Sequence, residues 1–313
     1  MESLVFALLN GVVYGLLLFM VSAGLTLVFG MMGVLNFAHA SFYMLGAYFA
    51  YTMQGRLGFA GAVLAATLLA GAVGMGVERW VLRRAHRHGH AHELLLTFGL
   101  SFIIAETIKL FFGNVPVDYR IPAALDVEAF RIGRLQYPAY RVLMGGVALA
   151  MFALIYLLMT RTRIGIVVRA AVHRPRMAEA LGHPVQRVFM GVFGVGAALA
   201  GLAGAIAGAF YTTSPNMALE LGVMVFVVVV VGGLGSLGGA MLASLLIGLL
   251  TSVAVGIDRS LADLLALVGA GDWARQVGGL LTLELSSLAA TIPFALMLLV
   301  LLWRPGGLFG ERA

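Results

Sequence analysis

Long apolar runs, separated by short polar stretches, recur along the whole chain. Runs near the length that crosses a hydrocarbon layer, about 17 to 25 residues, lie at Leu4 to Phe29, Phe37 to Met53, Gly58 to Trp80, Leu94 to Phe112, Tyr140 to Thr160, Val188 to Tyr211 and Leu288 to Trp303. Between the last two, the stretch from Val223 to Leu250 holds two shorter apolar pieces, Leu221 to Val231 and Ala240 to Val255, around Gly232-Gly-Leu-Gly-Ser-Leu-Gly-Gly239. The pattern predicts an all-α polytopic membrane protein with nine transmembrane helices, in a range of eight to ten. Peptide groups freed by five glycines find no water in lipid, so this break must be buried in protein or line a cavity.

A second interruption occurs early in the chain. Gly24 to Tyr48 contains Gly30, Gly33, Asn36, His39 and Gly46 before a helix rich in small residues resumes. Paired interruptions in two halves of a membrane protein point to a transport site near the bilayer midplane. This makes Asn36, His39, Ser41, Gly232, Gly233, Gly235 and Ser236 the candidate lining of a translocation path, with Thr26 close by. For His39 the competing reading is an interhelical hydrogen-bonding residue. A smooth apolar path without a fixed site is the competing reading for the whole set.

Composition agrees with the pattern. The chain of 313 residues is 61% hydrophobic and 11% charged, against about a quarter charged in soluble domains. Its 41 glycines fall often at small-xxx-small spacing, as in Gly11 and Gly15 or Gly204 and Gly208, which lets helices approach closely in lipid. There is no cysteine, which removes disulfides and thiolate metal sites. The net charge of +6 comes from basic residues dispersed between spans, a topology signal rather than a nucleic-acid surface. Met1 to Asn10 lacks a basic leader, so the first run reads as a true span.

The positive-inside rule sets the orientation. With Val81 to Glu93, Arg161 to Arg187 and the C-terminus inside, twelve of the 20 basic residues are cytoplasmic, and the N-terminus is outside. Residues 1–313 then read as one transmembrane domain. Outside lie two long periplasmic segments, Gly113 to Ala139 and Gly256 to Ser287, which are either covered loops or a ledge for a soluble partner. Inside lies the loop 161–187, where Met177, Ala178 and Leu181 form a small apolar helical face ending at Gly182, a natural helix stop. Among its arginines are Arg169 and Arg174, and the loop has the character of a docking helix.

Other polar features yield to structural readings. Glu106 and Lys109, at i and i+3 near the outer end of a span, can pair locally. The tract His86-Arg-His88-Gly-His90-Ala-His92 has no cysteine, and only Glu93 adjoins it, so it reads as surface histidines rather than a metal site. No Gly-x-x-x-x-Gly-Lys-[Ser/Thr] phosphate loop is present, and no catalytic constellation appears.

Four ordered motifs carry a resemblance. Asn36-Phe-Ala-His39 with Tyr43-Met-Leu-Gly46-Ala-Tyr48, the loop Thr162-Arg-Ile-Gly165 through Leu181-Gly182, the Gly232 to Ala240 run, and the terminal Arg304-Pro-Gly-Gly-Leu-Phe-Gly310 together resemble permease subunits of branched-chain amino acid ABC transporters, closer to the H-type than the M-type subunit. The resemblance covers nearly the whole chain. It implies a permease in the bacterial inner membrane that pairs with a second homologous permease subunit, two cytoplasmic ABC ATPases and a periplasmic substrate-binding protein. It also implies that ATP is used by the partners, with no cofactor held by this chain, and that Arg169, Arg174, Met177, Ala178, Leu181 and Gly182 couple to an ATPase. The pattern usually has Gly after Asn-Phe-Ala-His; here Ala40 stands in its place, which narrows the gap that glycine leaves. Two alternatives stay open: the same architecture moving urea, short amides or another small polar solute, and an ion-coupled secondary transporter or channel. The latter would want more carboxylates at membrane depth than Glu106 alone.

Overall fold

The computed structural model describes residues 2–33, 35–85, 89–132, 135–256, 260–266 and 269–310. Among them, seven helices are long and apolar enough to cross a membrane, with Met217–Gly232 as a shorter apolar helix. One of the seven, His39–Ala85, is 47 residues long and contains a non-helical break at Gly58, with φ 68° and ψ 174°. The segments before and after this break, 39–57 and 58–85, run in opposite directions. Both Gly46 and Ala70 lie against Gly201, which places Gly58 at the tip of a hairpin. Counting the hairpin as two, eight segments of spanning length and one short helix make up the nine apolar elements that the pattern predicts.

In chain order, α1 is Glu2–Met32 and α2 is His39–Val77, continued by a π-helical turn Glu78–Leu82 and a short α3, Arg83–Ala85. Then come α4 (His90–Phe112), a two-stranded hairpin β1 (Glu128–Ile132) and β2 (Leu135–Pro138), and α5 (Ala139–Arg161). The basic loop folds as α6 (Arg163–His173) and α7 (Pro175–Ala180) before α8 (Val185–Ala207). The last third holds α9 (Met217–Gly232), α10 (Leu237–Gly256), the short α11 (Leu261–Ala266), α12 (Gly271–Val277) and α13 (Leu285–Leu288), and α14 (Ile292–Trp303).

A helix that is apolar all round belongs in the middle of a bundle, and α1 is such a helix. Every residue from Gly15 to Val28 is buried, including Leu18, Phe19 and Met20 with no exposed surface. Around it, α8, α9 and α10 complete the inner layer, whereas α4 lies at the edge with Leu110 and Phe111 about three-quarters or more exposed, at 81% and 76%.

Small residues allow the close approach. Along the α1–α10 seam a methyl on Gly11 would sit 2.8 Å from the Leu249 Cα, and one on Gly15 would sit 2.7 Å from the Ser244 carbonyl oxygen. Ser252 Oγ donates across the same seam to the Ala7 carbonyl at 2.7 Å. In the α2–α8 seam, a methyl on Gly204 would run into the Tyr43 carbonyl, and one on Gly46 into the backbone of Gly201. With lipid as solvent, packing of this kind and interhelical hydrogen bonds replace the hydrophobic drive.

The two ends of the bundle differ in chemistry. At one end, called here the loop end, lie α6, α7, the turn between α9 and α10, and the C-terminal residues. At the other, the hydroxyls of Tyr119 and Tyr140 donate to the carbonyls of Ala205 and Ile206 at 2.6 and 2.7 Å, satisfying groups that the end of α8 leaves without partners. Arg141 stacks over Phe210, 5.0 Å from its centroid, and reaches the Asn10 side chain. In the 113–139 segment Val117 bridges to Thr213. In the 256–287 segment, Ser260 and Asp263 form a reciprocal cap on α11, with the Ser260 amide and hydroxyl donating to Asp263 Oδ2 at 3.0 and 2.9 Å. Those bonds, joined by Arg275, hold the Asp263 carboxyl down at about 2.

Because the α2–α8 seam has no space for a side chain, Gly204→Val is expected to destabilise the fold by about 1–3 kcal/mol, the usual cost of overpacking. A methyl at Gly99 meets nothing within 4 Å, so Gly99→Ala serves as the control that leaves thermal unfolding in detergent unchanged or raised.

Candidate functional site: a cavity at the break before α2 and an exposed loop helix

The described residues between α1 and α2, Gly33 and 35–38, are not helical. The chain leaves α1 at Gly33 (φ 66°) and returns into the bundle, so that α2 begins at His39 beside Val21 rather than at the level of Met32. The His39 ring sets this depth, since its Nε2 lies 3.0 Å from the Val21 carbonyl oxygen. As the acceptor is a carbonyl, Nε2 carries the proton. The ring also fills the notch of Gly24, where a methyl would sit 2.8 Å from its Cε1.

Around this break lies a cavity of about 250 Å³. Asn36, His39 and Ser41 line it from the start of α2, Phe98, Ser101 and Phe102 from α4, and Gly222 and Phe226 from α9. Phe37 stacks on Phe226 at 6.2 Å and meets Phe98 edge-on at 6.3 Å. Its backbone amide donates to Thr97 Oγ1 at 3.3 Å, which ties the broken segment to α4. The walls are therefore apolar and aromatic, with a few polar groups gathered near the first residues of α2.

Asn36 is the most informative of these groups. It is 3% exposed, and its Oδ1 accepts from the Ala38 amide at 3.0 Å. A backbone N–H can only donate, so this bond fixes the orientation of the side-chain amide. Its Nδ2 is buried without a partner.

The structure separates the glycine-rich residues from this cavity. Gly232, Gly233, Gly235 and Ser236 form the turn between α9 and α10 at the loop end, and the cavity lining holds none of them. Gly233 and Gly235 have φ of 100° and 85°, Gly235 packs on Gly30, and Gly233 packs on Gly310. Ser236 Oγ accepts from the Gly239 amide at 3.1 Å and opens α10.

In the basic loop, α7 ends with two bonds that define a Schellman stop. The Gly182 amide donates to the Glu179 carbonyl at 2.9 Å and the His183 amide to the Ala178 carbonyl at 3.0 Å, with Gly182 at φ 85°. The apolar residues do not share one face as the sequence pattern predicts. Ala178 is 2% exposed and packs with Ala171 and Val185, whereas Met177 and Leu181 are 55% and 75% exposed. The reason is spacing, since i and i+4 point outward while i+1 turns into the α6–α8 crevice. Arg174, the residue between α6 and α7, is exposed. Arg169 turns back instead, donating to the Met159 carbonyl near the end of α5.

Two features escape the sequence reading. The aromatic walls of the cavity look like any other apolar span positions, and only Phe98 and Phe102 at i and i+4 signal a shared face. Glu78 is also unmarked by pattern. It is buried at 3% and pairs with Arg83 at 2.9 Å, while Arg83 also donates to the Gln186 carbonyl at 3.2 Å. This joins the end of the hairpin to the first turn of α8. Glu106 and Lys109 pair at 2.7 Å outside the cavity. His86 and His88 lie outside the described residues, and among the described residues no group of three His, Cys, Asp or Glu is placed to hold a metal.

A polytopic bundle with a broken helix, an apolar cavity and an exposed basic loop helix defines a membrane permease. The chain belongs to the family described as branched-chain amino acid transport system / permease component, which it matches over residues 7–301. It is 28% identical to the high-affinity branched-chain amino acid transport system permease protein LivH of Escherichia coli, over 96% of this chain and 94% of that one. It is 27% identical to the corresponding protein BraD of Pseudomonas aeruginosa, over 97% and 95%. Among solved structures, PsaBC from Streptococcus pneumoniae in complex with Fab aligns over 93% of this chain and 89% of that one, with 14% identity and a TM-score of 0.44.

A methyl at Gly222 would lie 3.4 Å from the Ala40 Cβ, so a single carbon fits there and anything larger projects into the cavity. Gly222→Leu is expected to leave membrane insertion intact and to lower solute uptake roughly tenfold or more, equivalent to about 1.4 kcal/mol, while Gly222→Ala retains most of it. Uptake into proteoliposomes measures both.

Proposed function

We propose that this chain is one of two permease subunits of an ATP-driven importer of branched-chain and related apolar amino acids. A second, homologous permease completes the pathway. Two ATPases dock at the loop end, and a substrate-binding protein delivers solute at the other. In this reading the loop end is cytoplasmic, the N-terminus is outside, and ATP is bound and hydrolysed only by the partners. The solute passes through the cavity at the start of α2.

The observation that carries the proposal is the exposed face of α7. Met177 and Leu181 stand out from a helix that is stopped at Gly182 and held from behind by Ala178, among arginines that suit an acidic rim. Together the two exposed apolar side chains make a small patch beside these arginines that a partner surface can cover. Coupling follows from rigidity, because a push on α7 passes through Val185 into α8 and through Arg169 into the end of α5.

The test is Leu181→Arg. ATP-dependent uptake by the reconstituted importer is expected to disappear while expression and insertion stay normal; undiminished uptake sinks the docking role. A proton or sodium gradient without ATP is expected to drive no uptake, and accumulation under such a gradient would favour an ion-coupled carrier.

A further inference from the structure

The structure assigns to the start of α2 a subsite for the carboxylate group of the solute, made by Asn36 Nδ2 and the Ala40 amide. This rests on the importer reading and says which end of the solute is held. Two independent observations converge on it. Asn36 Nδ2 is buried, lacks a partner and lines the cavity, with its direction fixed by the bond between Oδ1 and the Ala38 amide. A buried amide N–H left without an acceptor is unfavourable, and a ligand oxygen relieves it.

The second observation is backbone geometry. At the first turn of α2, the His39 amide donates to the Asn36 carbonyl at 3.1 Å and the Ser41 amide to the Ala38 carbonyl at 3.0 Å. The Ala40 amide between them has no backbone partner among the described residues. It belongs to a residue that lines the cavity and stands at the positive end of the helix dipole, where an anionic oxygen is favoured over a neutral one. Both free groups are donors, and no carboxylate appears among the described lining residues. The site therefore selects an acceptor with negative charge. The rest of an apolar amino acid then lies against Phe37, Phe98 and Phe226, and Ser101 Oγ, which already donates to the Phe98 carbonyl at 2.6 Å, has lone pairs left for the ammonium.

The experiment compares Asn36→Asp with Asn36→Ala in the complete importer, reading L-leucine uptake and ATPase activity. Aspartate keeps the oxygen that caps Ala38 and replaces the free donor by an anion; alanine removes both. A carboxylate subsite makes Asn36→Asp the worse variant, with L-leucine taken up per ATP hydrolysed down roughly tenfold or more. A capping role alone gives the opposite order, with Asn36→Asp close to wild type, and overturns the proposal. A second measurement needs no variant. The wild-type permease–ATPase complex in nanodiscs is expected to bind 4-methylpentanoate, which has the carboxylate alone, and not 3-methylbutylamine, which has the ammonium alone; equal or reversed preference overturns the subsite. Failure of the importer reading shows separately, as wild-type importer that takes up no L-leucine with ATP present.

Discussion

Everything in this bundle depends on one constraint, that peptide groups inside a bilayer must find partners within the protein. Wherever the chain stops being helical at depth, other elements close around it. The segment after Gly33 is the clearest case. Its amides are taken by Thr97 from α4 and by the Asn36 side chain, and the helix that follows is anchored by a histidine ring on Val21. The Asn36 side-chain donor is left without a partner, and Asn36 and Ala40 both line the cavity. A break of this kind concentrates unsatisfied donors where a solute can reach them, which is how an otherwise apolar bundle acquires polarity without a single charged residue among the described lining residues.

The same constraint explains how a rigid bundle can transmit motion. The α2–α8 and α1–α10 seams are packed backbone to backbone, so neither can deform gradually. Displacement of α8 must carry the hairpin with it. Arg83 reinforces this at the loop end, holding Glu78 of the π-helical turn and the Gln186 carbonyl together. The pair is buried on the glutamate side, where removing one partner strands a charge and is costly. The edge helix α4 is attached more lightly, by Phe37, Thr97 and the aromatic contacts, and forms one wall of the cavity. A bundle built from one tight block and one loosely held wall can open by moving the wall.

Much of this is legible in the sequence, and the parts that are not share a physical cause. Span number, the division between the runs Phe37 to Met53 and Gly58 to Trp80, and the stop at Gly182 follow from length, glycine placement and helix-ending rules. Asn36, His39 and Ser41 stand together at the break, and their polarity inside an apolar run marks the place where the helix gives way. The aromatic walls leave no such mark, because in a lipid solvent a phenylalanine facing a cavity and one facing a hydrocarbon chain have the same pattern. The orientation of Met177 and Leu181 against Ala178 turns on which side of α7 meets α8, a tertiary fact that spacing alone leaves open. Glu78 and Arg83, five residues apart, look like ordinary charges at the end of a span.

The glycine-rich run at Gly232 to Gly239 has a different logic from the break at Asn36. It resembles a half-helix site in sequence, yet its carbonyls are answered by the chain itself. The Leu308 amide donates to the Val231 carbonyl at 2.9 Å and the Phe309 amide to the Gly232 carbonyl at 3.1 Å, so the terminal Arg304 to Gly310 motif is the C-terminal cap of α9, supplied from a distance. That arrangement demands glycines on both sides. A methyl on Gly307, itself at φ 82°, would sit 2.6 Å from the Gly233 Cα. Two glycine clusters far apart in sequence are thus one structural feature, and its polar groups are spent on closing the loop end. The cluster at the start of α2 has no such cap, and the difference between a filled break and an unfilled one separates the packing glycines from the residues that line the cavity.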